Sequence, residues 1–184
     1  NYQPERIEAI VGNGEKAGLR IRYLVEPTPL GTGGALKYAE PHLDGTTIVF
    51  NGDVLTEIDL PTLLERHRTR AARATIVLTT VNNPSDYGLV ETNEDGSVHQ
   101  FLEKPNPDQI TCDTINAGIY VLEPATFDRI PIGTKYSIEQ EYFPSLVERG
   151  ETFDAYIDRG YWLDIGTPAK YLQAHRDILD GHCH

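Results

Sequence analysis

Five charged residues stand where an apolar run gives out or a turn begins. Glu26 follows the run at 21–25, Asp53 follows 46–50, Glu103 and Lys104 end the run at 97–102, and Asp164 sits between 161–163 and a helix-start signal. In open α/β sheets ligands bind beyond the carboxyl ends of the strands, so polar residues at such ends are the first candidates for chemistry. Asp53 comes after the most apolar stretch of the chain and after Asn51-Gly52, which should turn its carboxylate into a crevice. A turn aspartate would carry the same local sequence. If Asp53 and Asp164 met in space they would form a hard-oxygen pair suited to Mg²⁺, which prefers a few carboxylates completed by substrate phosphates. Their spacing alone does not bring them together.

A second feature is the glycine-rich stretch from Glu26 to Gly34, EPTPLGTGG. A phosphate-binding P-loop ends in Gly-Lys-Ser/Thr, and a dinucleotide fingerprint reads G-x-G-x-x-G. Gly31, Gly33 and Gly34 fit neither spacing, so the bare backbone serves something other than cradling phosphate.

These residues need a frame. Residues 21–25 and 46–50 have the β-rich composition of strands, and 35–39 suits a short helix. Leu60, Leu63, Leu64 and His67 fall at helical spacing, with Pro61 in the first turn. Residues 74–81 form another apolar run, and 87–102 reads as a hairpin around Asp95-Gly96. A strand is expected at 115–122 and another at 152–157. Between them Ser137 and Gln140 have the spacing of a capping box for a helix over 137–149, with Gly150 beyond its end. Thr167 and Pro168 open a last helix, and Gly181 follows it. Buried strands alternating with helices predict an α/β fold: a Rossmann-like, mainly parallel but mixed sheet flanked by helices, with an inserted β-hairpin.

Composition limits the partners. With 184 residues, 39% hydrophobic and 24% charged, the chain reads as a single globular domain. No run approaches bilayer-spanning length and no leader pattern opens the chain, so a cytoplasmic protein without a membrane partner is expected. Cys112 and Cys183 form no C-x-x-C, which suits a reducing compartment. The tail His182-Cys183-His184 is expected to fray and carry no function. A net charge of −12 excludes a nucleic-acid duplex as partner, because such binding needs a field of Lys and Arg. A small anion held by a metal and a lysine remains compatible.

Six segments together carry a resemblance. They are Leu30-Gly31-Thr32-Gly33-Gly34-Ala35, Phe50-Asn51-Gly52-Asp53, Tyr87-Gly88-Leu89-Val90-Glu91, Glu103-Lys104-Pro105, Asn116-Ala117-Gly118-Ile119-Tyr120 and Trp162-Leu163-Asp164-Ile165-Gly166-Thr167. In this order, over about residues 21–180, the chain resembles the sugar-phosphate nucleotidyltransferases, and within them the mannose-1-phosphate guanylyltransferases most. The resemblance implies an enzyme that joins a nucleoside triphosphate and a sugar 1-phosphate into a nucleotide sugar, with release of pyrophosphate and Mg²⁺ as cofactor. It implies Asp53 and Asp164 as metal ligands and, with Lys104, as the catalytic set. Lys104 would contact the sugar phosphate, and Gly88, Glu103 and Asn116 the sugar. The loop with Glu26, Pro29, Leu30, Gly31, Thr32 and Gly33 would receive the base, glycine permitting close approach. Glu26 favours guanine, whose N1–H and N2–H are adjacent donors, although uracil and thymine also offer an N3–H.

One part of the resemblance is missing. The family opens with a glycine-rich signature that holds the triphosphate, and nothing in residues 1–20 matches it. The expectation is therefore a domain over 1–184 that is incomplete at its N-terminus, inactive as this chain alone, and prone to homo-oligomer formation through an exposed strand edge. The alternatives are a glucose-1-phosphate thymidylyl- or uridylyltransferase, or a catalytically silent regulatory subunit that binds nucleotide sugar.

Overall fold

In the computed structural model, residues 3–81 and 83–183 are described; Asn1, Tyr2, Asn82 and His184 lie outside them. Eight strands form: β1 (Thr47–Phe50), β2 (Val54–Thr56), β3 (Ala74–Thr80), β4 (Gly88–Thr92), β5 (Val98–Glu103), β6 (Thr114–Leu122), β7 (Phe153–Ile157) and β8 (Trp162–Asp164). The α-helices are α1 (Pro4–Val11), α2 (Gly31–Ala39), α3 (Leu60–Thr69), α4 (Phe143–Glu148) and α5 (Pro168–Leu179).

The main sheet runs β5-β4-β6-β3-β7, with β1 also pairing β6. Its strands β1, β3, β4 and β7 share one direction, and β5 and β6 oppose them. The sheet is therefore mixed, and the parallel ladder is the one between β3 and β7. Side chains alternate across it as the two-residue period of a strand requires. Ile76, Leu78, Tyr120 and Leu122 enter a core with Leu36 of α2 and Phe143 and Leu146 of α4. Val77, Ile119 and Val121 point to the other face, where Leu63 of α3 covers them. Helices on both faces of a sheet make an α/β fold.

Four expectations need correction. Residues 21–25 form no strand, because no described strand pairs with them and a strand exists only by its ladder. Val25 is 54% exposed. The element expected at 137–149 is a π-helical turn, Ile138–Tyr142, leading into α4. Ser137 does cap it by accepting from the Gln140 amide, but the side chain that reaches back to the Ser137 amide is Glu141, at 2.7 Å. The looser turn delays the returning residue by one position. The strands β2 and β8, absent from the sequence reading, form their own two-stranded sheet. Finally, Cys183 is buried, so the tail up to that residue is docked against the molecule.

Candidate active site

The site begins with an irregularity in β6. Along one edge of this strand, β1 stops at Phe50 opposite Ile119, and β4 takes over at Leu89 opposite Ile115. Along the other edge, Ile76 pairs with Tyr120 but Leu78 pairs with Asn116, so β6 carries extra residues at 117–119. Bulges of this kind re-aim side chains and end pairing. Gly118 makes the bulge feasible, because its φ of +74° suits glycine, and a Cβ there would meet the Asn51 side chain at 2.9 Å. The Asn51 amide in turn donates to the Gly118 carbonyl at 2.8 Å. Asn116 accepts from the Gly118 amide and donates to the Tyr120 hydroxyl, both at 2.9 Å.

Beyond this gap the small sheet brings the two aspartates together. Val54 pairs with Asp164 across β2 and β8, and the Ile165 amide donates to the Asp53 carbonyl at 2.8 Å. The carboxylates converge beside Gly166: a Cβ on that glycine would lie 3.0 Å from Asp164 Oδ1 and 3.8 Å from Asp53 Oδ2. Two hard oxygen groups beside one glycine have the donor chemistry of Mg²⁺, which takes few protein carboxylates.

Lys170, in the first turn of α5, was not legible as a site residue. Its ammonium lies 2.7 Å from Asp164 Oδ2 and 2.8 Å from the Tyr87 hydroxyl. A cation in the first turn opposes the helix dipole, so the contact with Asp164 accounts for its placement. Burial acts to raise the Asp164 pKa, but the hydrogen bonds from Lys170 and the Gly166 amide and the lysine charge outweigh it and hold the carboxyl below its usual range. Tyr87 packs edge-on against Trp162, whose Nε1 donates to the Ala117 carbonyl at 2.8 Å. The aromatic pair thereby ties the bulge to β8.

These parts enclose a cavity of about 230 Å³ lined by, among others, Asp53, Gly88, Glu103, Asn116 and Asp164. That volume is below the ~300–1,000 Å³ of typical pockets for drug-sized ligands, and suits a group of sugar size. Glu103 can stand at the wall because Gly88 faces it: a Cβ on Gly88 would be 2.8 Å from Glu103 Oε2. Burial first, and the charge of Glu139 second, raise the Glu103 pKa, against the pull of Lys104. Asp86 and Glu139 add two more carboxylates to the lining, to which no Lys or Arg among the described residues belongs. Such a wall receives an anion only together with a cation.

Other sequence candidates fall elsewhere. Lys104 is exposed, has a φ of +49° and does not line the cavity. Glu26 lines a separate hollow of about 240 Å³ with Val25, Ala35 and Tyr38. Its Oε1 is buried and has no hydrogen-bond partner among the described residues. The glycine-rich stretch also reads differently from the expectation: from Gly31 on it is the start of α2 rather than a loop. Its close approach is to this chain's own residues 134–136: a Cβ on Gly31 would lie 2.7 Å from the Tyr136 carbonyl oxygen, and one on Gly34 2.6 Å from that of Thr134. The Gly33 amide donates to the Tyr136 carbonyl, and the Leu30 carbonyl accepts from the Tyr136 amide. Thr32 is committed to Glu139 and Ile138, while Pro29 is exposed.

A family model described as nucleotidyl transferase matches residues 1–181. The mannose-1-phosphate guanylyltransferase of Mycobacterium tuberculosis is 42% identical over 183 residues, covering 98% of this chain and 50% of that protein. The UTP–glucose-1-phosphate uridylyltransferase of Synechocystis is 36% identical over 193 residues, covering 97% and 50%. Among solved structures, HddC from Yersinia pseudotuberculosis complexed with GMP-PN superposes with a TM-score of 0.81 at 26% identity, over 96% of this chain and 75% of that one. The chain spans about half the length of the curated relatives it matches.

Proposed function

The chain belongs to the nucleotidyl transferase family, and on that premise we propose that it builds the sugar site of an enzyme joining GTP and mannose 1-phosphate into a nucleotide sugar, with release of pyrophosphate. The observation that carries this reading is that Asp53 and Asp164 stand together beside Gly166 in the lining of a sugar-sized cavity. These two residues would hold Mg²⁺, which supplies the positive charge that two reacting phosphates require. Gly88, Glu103 and Asn116 hold the sugar, and Lys104, adjacent in the chain to cavity-lining Glu103 though not itself in the lining, would contact the phosphate. Lys170 keeps Asp164 in place. A sugar-phosphate oxygen attacks the α-phosphorus, the bond to pyrophosphate breaks, and its electron pair leaves with pyrophosphate. No covalent enzyme intermediate is needed. We place the reaction in the cytoplasm, where Cys112 and Cys183, which form no disulfide, stay reduced. No helix among the described residues is long and apolar enough to cross a membrane.

For the base, Glu26 Oε1, buried and without a hydrogen-bond partner among the described residues, calls for a base N–H, and the adjacent N1–H and N2–H of guanine suit a carboxylate better than the single N3–H of uracil or thymine. The guanylyltransferase relative supports the same choice. The uridylyltransferase relative keeps UTP as the second reading. A silent regulatory subunit has no use for paired metal carboxylates. The test is competition among GTP, UTP and dTTP in the protein that carries this chain. GTP should win, and Glu26→Gln should cut its advantage by about tenfold, the scale of one charged hydrogen bond. A wild-type preference for UTP or dTTP would overturn the guanine assignment.

A further inference from the structure

The cavity and the glycine-rich start of α2 meet at one side chain. Glu139, in the π-helical turn Ile138–Tyr142, lines the cavity that Glu103 and Asn116 also line. Its Oε2 accepts from the Thr32 hydroxyl at 2.8 Å and from the Ser137 hydroxyl at 2.9 Å. Thr32 Oγ1 in turn accepts from the Ile138 amide at 2.9 Å. Thr32, in the first turn of α2, is thus clamped between the main chain of the π-helical turn and its carboxylate. Two hydroxyl donors converging on one oxygen fix the rotamer of Glu139.

A brace for the turn would need only those two bonds, and an uncharged acceptor would serve. The placement asks for more. The Glu139 carboxylate stands near enough to Glu103 for its charge to reach that group, and no cation belongs to the lining between them. Carboxylates accept hydrogen bonds and donate none, whereas a sugar presents a rigid array of O–H donors. A sugar seated there would relieve both groups at once.

We propose that Glu139 is a specificity-determining residue that accepts hydrogen bonds from sugar hydroxyls opposite Glu103, and that Thr32 positions it, so that the glycine-rich start of α2 sets the sugar contact. This rests on the cavity being the sugar site named above. It makes the start of α2 and the sugar pocket one unit: whatever orders Thr32 also aims Glu139.

The test measures kcat and KM in the protein that carries this chain, for wild type, Glu139→Gln, Thr32→Val and Thr32→Ser. The substrates are the sugar 1-phosphate turned over best and its deoxy analogues, each lacking one hydroxyl. Gln keeps an acceptor for Thr32 and Ser137 but loses the charge. It should therefore raise KM for the parent sugar phosphate roughly ten- to hundredfold, the range of a charge-assisted hydrogen bond. On the one analogue lacking the contacted hydroxyl that penalty should vanish. Thr32→Val should show the same analogue dependence more weakly, and Thr32→Ser should recover most of the loss. If Glu139→Gln does not fold, the Val and Ser pair at Thr32 decides. Equal losses on every analogue would mean a structural brace and overturn the proposal. A wild type that prefers a sugar other than mannose would sink the mannose assignment alone, with Glu139 judged on the sugar it takes. Failure to bind any sugar 1-phosphate would overturn both.

Discussion

Glu103 lies in two opposed fields: burial and the Glu139 charge push its carboxyl above the ordinary range, and Lys104 pulls it down. A raised pKa keeps the group protonated to higher pH, so the acceptor needed for a sugar hydroxyl is lost as pH falls through that raised value. The acidic limb of kcat/KM for the sugar phosphate should accordingly lie above the ordinary glutamate range. Glu139→Gln should move it to lower pH by removing a like charge, and Lys104→Ala should move it higher. A pH–rate profile of the three proteins checks both signs, and a limb that moves with neither change would detach Glu103 from the sugar step.

Among the elements, α3 is locked to β7 by charge. Asp154 is 1% exposed and accepts from Arg66 and Arg70, which stand in and just beyond the last turn of α3. Asp154→Ala removes three charge-assisted bonds, and because both arginines stay partly exposed they can be rehydrated. The expected cost is about 2–3 kcal/mol, read as a lower denaturant midpoint at unchanged slope. A loss below about 0.5 kcal/mol would show that the bonds merely replace water. The elements that the sequence disclosed are those with their own local signal. Thr46 to Phe50 and 74–81 are uninterrupted runs of β-branched and apolar residues, and Asp95-Gly96 marks the hairpin. β2 and β8 have three residues each and exist only because each finds the other, a long-range pairing with no local trace. The same holds at the site. Asp53 and Asp164 were visible as carboxylates at strand ends, but their meeting depends on that pairing. Lys170 and Glu139 escaped notice because their partners, Asp164 with Tyr87 and Thr32 with Ser137, are chosen by the fold. The expected strand at 21–25 failed for the converse reason: its composition is right and no described neighbour completes it.

For the whole molecule, one consequence concerns surface. β1 is paired on one edge, by β6, and Phe50 at its end is 43% exposed. An unpaired edge beside apolar surface is a template for association, while a net charge of −12 opposes it. Salt screens the repulsion and leaves the apolar contact intact. The 184-residue chain should therefore associate with rising concentration, and more strongly at ~1 M than at ~0.1 M salt, where the screening length falls from about 10 Å to about 3 Å. Sedimentation velocity at both salts tests this; a monomer indifferent to salt would mean that the edge is protected.

The account stands or falls on Asp53 and Asp164 acting as one metal site. The direct measurement is Mn²⁺ binding by electron paramagnetic resonance in the protein that carries this chain, for wild type, Asp53→Asn, Asp164→Asn and the double variant. If both carboxylates hold one ion, each single change should abolish most of the binding and the double change should cost less than the two losses added together, since residues acting on one ligand are not independent. Additive losses, or a single variant that binds Mn²⁺ as wild type does, would contradict the shared site and with it the proposed chemistry.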